Sequence, residues 1–437
     1  MSNKLSTKPL SGFMELVPEE QRLFNQVMDI IKDTYESCGF IPMDQPLLDR
    51  KDVLLAKAGG ETEKQIYELT KGDTELALRF DLTVPLARYV ADKYGQLTFP
   101  FRRYAIGKVY RGERAQAGRF REFYQCDVDI IGNENLALGY DAEMPIMIAR
   151  VFDNLNKELQ TGSYKIRINN RKLLSGLFEE LNVTTQSTEI LALIDKCEKI
   201  SAEEFESLLQ KLELPDAAQQ TITAFLSAGL QSLSELGVSN QQFQVGVNEI
   251  RFVLQTAQAS GLNPEVFVFD PTIVRGLDYY TGTVFETQFV NYPQFGSVCS
   301  GGRYDNLAGQ YTNRHLPGVG MSIGLSRLFD QLLKSDVLKK SSQKASSRAV
   351  IIPMDNMISQ ALSVQKDLLE NNISTEINWA TGKLDKRIGY VDKMGIPYVI
   401  LIGEQEVEQG LYTIRNMETG DEQKVAPGEI PTILNHE

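Results

Sequence analysis

Two periods of apolar and polar residues alternate along this chain, and the places where the period changes divide it into segments. Over residues 19–38, Leu23, Val27, Ile30 and Ile31 recur at helical spacing and Gly39 stops the run, which predicts an amphipathic helix. A strand signal with Pro42 and Pro46 follows, and prolines this dense suit an edge strand or an interface. From 76 to 131 the period becomes two. Leu76, Leu78 and Phe80 alternate with Ala77, Arg79 and Asp81, and Tyr124, Cys126, Val128 and Ile130 alternate with Gln125, Asp127 and Asp129. These are predicted strands with one polar face. Residues 134–160 return to helix.

Residues 172–260 are rich in Leu, Ala, Glu and Gln, and read as a helical insertion. Within them Ser201-Ala-Glu-Glu204 fits a capping box, and Gly229 and Gly261 are helix stops. Strand patterning returns at 265–290, followed by a glycine-rich stretch and a helix at 324–335. A Ser/Lys-rich segment then leads to strand Ala349–Ile352, a helix at 357–370, a strand near 374–379, a helix at about 383–394 and a buried strand Tyr398–Ile402. The predicted organisation is a core in two parts, 1–170 and 263–334, around an insertion at 171–262, then a linker at 335–347 and a small α/β domain at 348–437.

Composition narrows the chemistry. The 437 residues are 42% apolar and 24% charged, as in an ordinary globular protein. The net charge of −13 argues against blanket binding to nucleic acid, though not against a local basic footprint. Only two histidines exist, His315 and His436. A histidine-rich metal site is therefore excluded, and catalysis is expected to work by position and charge rather than by imidazole proton transfer. Cys38, Cys126, Cys197 and Cys299 are far apart and form no CxxC, which fits a reducing cytoplasm. A polar N-terminus and the lack of any run of 18 apolar residues predict neither a signal peptide nor a membrane span.

The stretch 102–121 inverts the overall charge. It holds Arg102, Arg103, Lys108, Arg111, Arg114, Arg119 and Arg121 against the single acid Glu113. Arginine suits a planar, two-pronged grip on phosphate. Arg111 and Glu113, two residues apart, are expected on one strand face, where a cation meets phosphate and a carboxylate meets a base amine or a metal. A solvated basic hairpin is an equally good account of charge alone. Likewise, the polar face bearing Asp81, Gln125, Asp127 and Asp129 is either water-exposed or a binding floor. Arg275-Gly-Leu-Asp-Tyr-Tyr-Thr-Gly282 and Gly301-Gly-Arg-Tyr-Asp305 are turn-rich platforms carrying arginine and tyrosine. Gly318-Val-Gly-Met-Ser-Ile-Gly-Leu-Ser-Arg327 reads as a strand entering a helix. No P-loop occurs, so bound ATP would have to be held by arginines on an antiparallel sheet.

These residues together resemble a known family. Arg111-Gly-Glu-Arg with Arg119-Phe-Arg-Glu-Phe resembles motif 2 of class II aminoacyl-tRNA synthetases, Gly320–Arg327 resembles motif 3, and the region of Pro46 resembles motif 1. Arg275-Gly-Leu-Asp-Tyr-Tyr, Gly301-Gly-Arg-Tyr and Leu78-Arg-Phe-Asp-Leu-Thr-Val-Pro85 resemble segments specific to the histidyl-tRNA synthetase family. One departure is Arg79-Phe-Asp81, where many bacterial members carry Arg-Pro-Glu.

The resemblance implies an α+β fold: a class II antiparallel sheet flanked by helices, a helical insertion and a C-terminal α/β anticodon-binding domain. It also implies a homodimer that joins L-histidine to tRNA(His) through histidyl-adenylate, with ATP as substrate and Mg2+ bound through its phosphates rather than at a fixed protein site. By the same resemblance, Arg111 grips the α-phosphate, Arg327 the γ-phosphate and Arg119 the β/γ-phosphates, while Glu113 meets the adenine amine or the metal. Arg275 takes the place of the catalytic arginine. Asp81, Thr83 and Gln125 hold the α-amino group, and Asp129 and Tyr280 read the two ring nitrogens, with Tyr304 nearby; Tyr279 and Arg111 also belong to the histidine-binding set, and Arg275 stabilises the α-phosphate or the substrate carboxylate. Gln116 in the motif 2 loop is a candidate tRNA contact, as are Lys383, Lys386 and Arg387, which open a helix where the macrodipole disfavours cations. Residues 348–437 carry 8 basic and 14 acidic side chains, so their net charge does not advertise RNA binding. The competing readings are a non-catalytic regulatory paralogue of ATP phosphoribosyltransferase, another class II synthetase, and a nucleic-acid-binding module without catalysis.

Overall fold

The structure, a computed structural model, describes residues 5–55, 63–114, 118–274, 280–306, 308–339, 344–354 and 356–435. Its contacts divide the chain into two units, Met1–Glu15 with Gln26–Leu338, and Leu16–Asn25 with Lys339–Glu437.

The predicted first helix is α1 (Pro18–Ser37), with Val27 and Ile31 fully buried and Gly39 at φ +80° just beyond its end. Then come β1 (Ile41–Pro42), β2 (Leu48–Arg50), α2 (Lys51–Leu55), β3 (Glu68–Lys71), β4 (Thr74–Leu78), α3 (Thr83–Lys93), β5 (Phe101–Tyr110), β6 (Glu122–Ile131) and α4 (Gly139–Leu159). Strand β7 (Tyr164–Asn170) enters the helical segment α5 (Arg171–Glu180), α6 (Ser187–Ile194), α7 (Ala202–Gln210), α8 (Asp216–Ser227) and α9 (Gln241–Gln258). Strands β8 (Phe267–Phe269), β9 (Thr283–Phe289), β10 (Cys299–Tyr304) and β11 (Gly318–Ile323) and helix α10 (Leu325–Lys334) complete the first unit.

Among the described residues, eight strands form one sheet in the order β1-β5-β6-β11-β10-β9-β7-β8. Pairing is antiparallel throughout the middle and parallel only at the two edges, β1 on β5 and β8 on β7. Pro42 thus sits in an edge strand, where a missing N–H breaks no interior ladder. Helices α4, α9 and α10 pack on this sheet, and α5 packs on α9. Ser201 caps α7 as expected, its Oγ accepting from Glu204 N at 3.2 Å.

Strand β4 departs from the expected alternation. It ends at Leu78 and belongs to a separate sheet ordered β2-β4-β3, where Ala77 is buried and Leu76 and Leu78 are half-buried. Arg79 is not on a polar face. It is buried at 2% exposure, and its Nε donates to Lys108 O at 2.8 Å and its Nη1 to Gln45 O. Backbone carbonyls meet the guanidinium and make this burial tolerable.

The second unit contains the predicted β12 (Ala349–Pro353), α11 (Ile358–Glu370), β13 (Thr375–Ile377), α12 (Leu384–Lys393) and β14 (Tyr398–Ile402). It continues with α13 (Glu404–Gln409), β15 (Tyr412–Asn416), β16 (Glu422–Val425) and α14 (Ile430–Asn435), none of which the sequence reading anticipated. The sheet order is β13-β12-β14-β15-β16, parallel across the first three strands and antiparallel thereafter. Alternate residues of β12 face two apolar clusters, Ala349 and Ile351 on one side, Val350 and Ile352 on the other. No helix among the described residues is long and apolar enough to cross a membrane.

Candidate active site

One cavity of about 550 Å³ is lined by ten of the side chains singled out in the sequence: Asp81, Thr83, Arg111, Glu113, Arg119, Gln125, Asp129, Tyr280, Tyr304 and Arg327. Arg275, Tyr279 and Gln116 lie outside the described residues. The cavity's lining includes no histidine; His315 instead sets its Nδ1 2.8 Å from Glu134 O.

One end of the cavity is acidic and buried. The period of two along β6 puts Gln125, Asp127 and Asp129 on one face, and all three line the cavity. This polar face is therefore a floor, not a solvent surface: Asp127 and Asp129 are 2% and 3% exposed. The register sets Gly320 of β11 opposite Asp129, and Gly302 of β10 opposite Gly320. The glycine at 320 leaves the space that the Asp129 carboxylate occupies. Tyr304 OH donates to Asp129 Oδ1 at 2.8 Å, and Gln125 Nε2 donates to Ser322 Oγ at 2.9 Å. Asp81 Oδ1 accepts from Val84 N at 3.0 Å at the start of α3, while its Oδ2 is buried without a hydrogen-bond partner.

The sequence reading assigned Arg103 to the basic stretch and gave Asp127 no role. In the structure Arg103 stands opposite Asp129 in the β5–β6 register, on the same sheet face and fully buried, its Nη2 2.6 Å from Asp129 Oδ2 in an ion pair without an aligned hydrogen bond. Burial pushes Asp127 up to about 7 and Asp129 up to about 6, with Arg103 the main influence pulling each back down. Burial also raises Asp81, opposed by its bond from Val84 N and by Arg111. The in-facing alternation of β6 was the signal for Asp127; nothing local in the sequence marks Arg103 as buried.

The other end is cationic. Arg111 and Glu113 follow β5 in a loop instead of extending it, because the strand stops at Tyr110, yet both reach the cavity. Arg111 is fixed by Nε donating to Phe80 O at 3.0 Å, with its guanidinium 5.2 Å from the Phe123 ring centre. Arg119 is exposed and lies 3.5 Å from Glu113. Arg327, the third residue of α10, donates to Phe295 O at 2.6 Å while its Nε is buried without a partner. Burial, and next the charge of Arg119, lower the pKa of Arg327. A buried guanidinium whose charge is disfavoured beside a second cation suits a polyanion.

Other members of the basic stretch have local partners. Arg102 pairs with Glu143 at 3.0 Å, Lys108 with Glu122 at 2.7 Å, and Arg121 donates to Glu113 O at 3.0 Å. In the second unit Lys383 immediately precedes α12 without a side-chain cap, and Arg387 is turned inward, Nη1 donating to Pro353 O at 2.8 Å and Nε to Asn378 Oδ1 at 3.2 Å. Four residues before Lys383, Trp379, the only tryptophan of the chain, is 57% exposed.

An antiparallel sheet flanked by helices, with arginines at one end of a sheet-floored cavity, carboxylates at the other and a separate α/β unit, is the class II aminoacyl-tRNA synthetase arrangement. Residues 12–328 match the family model for histidyl-tRNA synthetase, and residues 348–437 match the anticodon binding domain. The histidine–tRNA ligase of Clostridium tetani is 48% identical over 433 residues, 98% of each chain. That of Clostridium acetobutylicum is 43% identical over 98% of this chain and 100% of its own. The crystal structure of histidyl-tRNA synthetase from Nostoc superposes with a TM-score of 0.90 at 35% identity, covering 99% of this chain and 100% of that one. The chain belongs to the histidyl-tRNA synthetase family.

Proposed function

We propose that the cavity joins L-histidine to ATP and passes the histidyl group to tRNA(His). The observation that carries this reading is the single cavity with phosphate-suited arginines at one end and a buried carboxylate floor at the other. In the first step a histidine carboxylate oxygen bonds to the α-phosphorus of ATP, and the bond to pyrophosphate breaks. In the second, the 3′-terminal ribose hydroxyl of tRNA(His) attacks the histidyl carbonyl and AMP leaves. A carboxylate nucleophile needs no general base. Rate then comes from alignment and from neutralising phosphate charge.

Arg111, held by Phe80 O, steadies the α-phosphate; Arg327 and Arg119 take the γ- and β/γ-phosphates; Arg275 serves as the catalytic arginine. Glu113 meets the adenine amine. Glu113 and Glu286, carboxylates among these arginines, fit the oxygen preference of Mg2+ and would hold an ion arriving with ATP, which would supply positive charge against the phosphates. Asp81, Thr83 and Gln125 hold the α-ammonium, Asp129 and Tyr280 read the ring nitrogens, and Tyr279 and Tyr304 complete the histidine pocket. A pocket that hydrogen-bonds both nitrogens rejects analogues lacking one by about 10⁴-fold or more, because a buried partner is left unpaired.

On the tRNA side, Gln116, Lys383 and Lys386 contact the nucleic acid and the exposed Trp379 offers a face for base stacking. Arg387 supports α12 instead, since its donors are committed to carbonyls and Asn378. This reading carries with it a cytoplasmic homodimer and the division of the first unit into core segments 1–170 and 263–334 around a helical insertion at 171–262.

Histidine-dependent ATP–pyrophosphate exchange without tRNA, with the other amino acids as controls, tests the proposal. Exchange with histidine alone is expected. Exchange with a different amino acid, or with none, overturns it.

A further inference from the structure

A guanidinium is an expensive group to bury. Arg103 is 0% exposed, and its Nε and Nη1 have no hydrogen-bond partner in the structure. Its Nη2 lies 2.6 Å from Asp129 Oδ2 and donates to Leu82 O at 3.1 Å. Replacing a buried ion pair with apolar side chains is often neutral or stabilising, so stability alone is a poor reason for this arginine. Its placement is more informative. Arg103 links the two segments that meet histidine in the reading above, Asp81–Thr83 through the Leu82 carbonyl and β6 through Asp129.

We propose that Arg103 is a positioning residue for histidine: it keeps Asp129 an ionised acceptor and fixes that carboxylate relative to the Asp81–Thr83 segment. The inference rests on the reading that Asp129 meets a ring N–H.

The surroundings of Asp129 make the argument specific. It is faced by Arg103 from β5, by Asp127 two residues back on its own strand, by Asp81 from the loop ahead of α3 and by Tyr304 from β10. Strand β11 opposite contributes Gly320 and therefore no charge. Arg111 acts on Asp81. Three buried carboxylates sharing one cleft do not all ionise without a cation among them. Burial already pushes Asp129 up to about 6 and Asp127 up to about 7, against the pull of Arg103. With that pull gone, Asp129 takes up a proton at higher pH. A protonated Asp129 accepts a ring N–H poorly.

The test is the pH profile of kcat/KM for histidine in pyrophosphate exchange, measured on the full-length wild type, Arg103→Met, Arg103→Lys and Asp129→Asn. Protonation of free histidine shapes every profile alike and cancels in the comparison. In Arg103→Met the acid limb should move up by about one pH unit, so that the loss at pH 6 is about fivefold larger than at pH 8.5. The KM for ATP should stay within about twofold. Arg103→Lys keeps the charge and should return the limb toward its wild-type position. Arg103→Gln repeats the test if Arg103→Met does not fold. A loss equal at every pH, with the limb unmoved, overturns the role of Arg103 while Asp129→Asn remains impaired. If Asp129→Asn selects histidine normally, the ring reading itself fails and the inference goes with it.

Discussion

Gly320 and Asp129 stand opposite each other on β11 and β6, and a Cβ at position 320 would lie 2.1 Å from Asp129 Oδ1 and 2.8 Å from Val128 O. The second contact is to backbone and cannot swing away. Gly320→Ala therefore has to displace the carboxylate or spread the strands, at an overpacking cost of about 1–3 kcal/mol. Most of that cost falls on the histidine end of the cavity. The expected outcome is a histidine KM raised at least about tenfold, with the ATP KM within about twofold. Steady-state pyrophosphate exchange measures both. An equal rise in the two constants would mean that the clash disturbs the sheet as a whole.

At the cationic end, Arg327 and Arg119 differ in burial, and their variants should differ accordingly. Arg327 is half-buried, with one nitrogen unmet and its charge disfavoured. Arg327→Ala should lower the exchange rate by about 10²–10³, the range seen when one preorganised donor to a developing anion is removed. Its melting temperature should change little, because a destabilised charge leaves with the side chain. The exposed Arg119 is screened by solvent, so Arg119→Ala should cost about tenfold at most, and less in high salt. Equal losses for the two variants would contradict this division.

The sequence made the floor legible because period two is a backbone property. Once β6 is a strand, Gln125, Asp127 and Asp129 must share a face. Which face is buried is another matter, and the pattern left both options open. The fate of the arginines was also hidden. Arg79 and Arg103 look like surface charges in one dimension, and only carbonyls and carboxylates brought from residues 44–45, 82, 108 and 129 make their burial tolerable. Arg111 and Glu113, expected on one strand face, both line the cavity from a loop that follows β5. In the second unit, Tyr412 and Ile414 alternate with Thr413 and Arg415, a strand signal that was present but short.

Asp127 carries a stability prediction with a definite sign. Its carboxyl is pushed up to about 7 by burial, against a usual value of about 4. The folded chain then holds this proton more tightly than the unfolded chain does. Stability falls as pH rises from about 4 to about 7 and stays reduced above that. Asp127→Asn cannot ionise and escapes the penalty, so at pH 8 it should melt about 2–4 °C above wild type. The gap should close as pH falls toward about 4. Calorimetry across this range decides it, and a gap independent of pH would remove burial as the cause.

Within the helical segment, Gly176 of α5 permits a close approach to α9. A Cβ there would lie 2.4 Å from Phe243 N and 2.8 Å from Asn240 Oδ1. Asn240 caps α9, accepting from Gln242 N at 2.8 Å and Phe243 N at 3.2 Å. Gly176→Ala thus forces the helices apart and disturbs the cap, costing about 2–4 kcal/mol in all. The expected result is a clear fall in melting temperature, with ATP and histidine KM values unchanged at 25 °C. A shift in either constant would show that this segment influences the cavity.

Trp379 gives the second unit a built-in reporter. It is the only tryptophan of the chain and 57% exposed, so the intrinsic indole emission comes from one surface position. An exposed indole four residues before Lys383 combines a stacking face with nearby positive charge, the combination that single-stranded nucleic acid favours. Titration with tRNA(His) should change the emission of wild type and saturate. Lys383→Ala with Lys386→Ala should weaken that titration and reduce its log-log dependence on salt by about 1–2. Arg387→Ala should instead lower the melting temperature of this unit, because its donors hold Pro353 O and Asn378. Trp379→Ala should raise the tRNA KM in aminoacylation about fivefold or more while leaving pyrophosphate exchange untouched, since a stacked base is worth about 1–3 kcal/mol. If emission does not change at a tRNA concentration that saturates aminoacylation, Trp379 lies outside the contact, and the RNA surface of this unit has to be sought on another face.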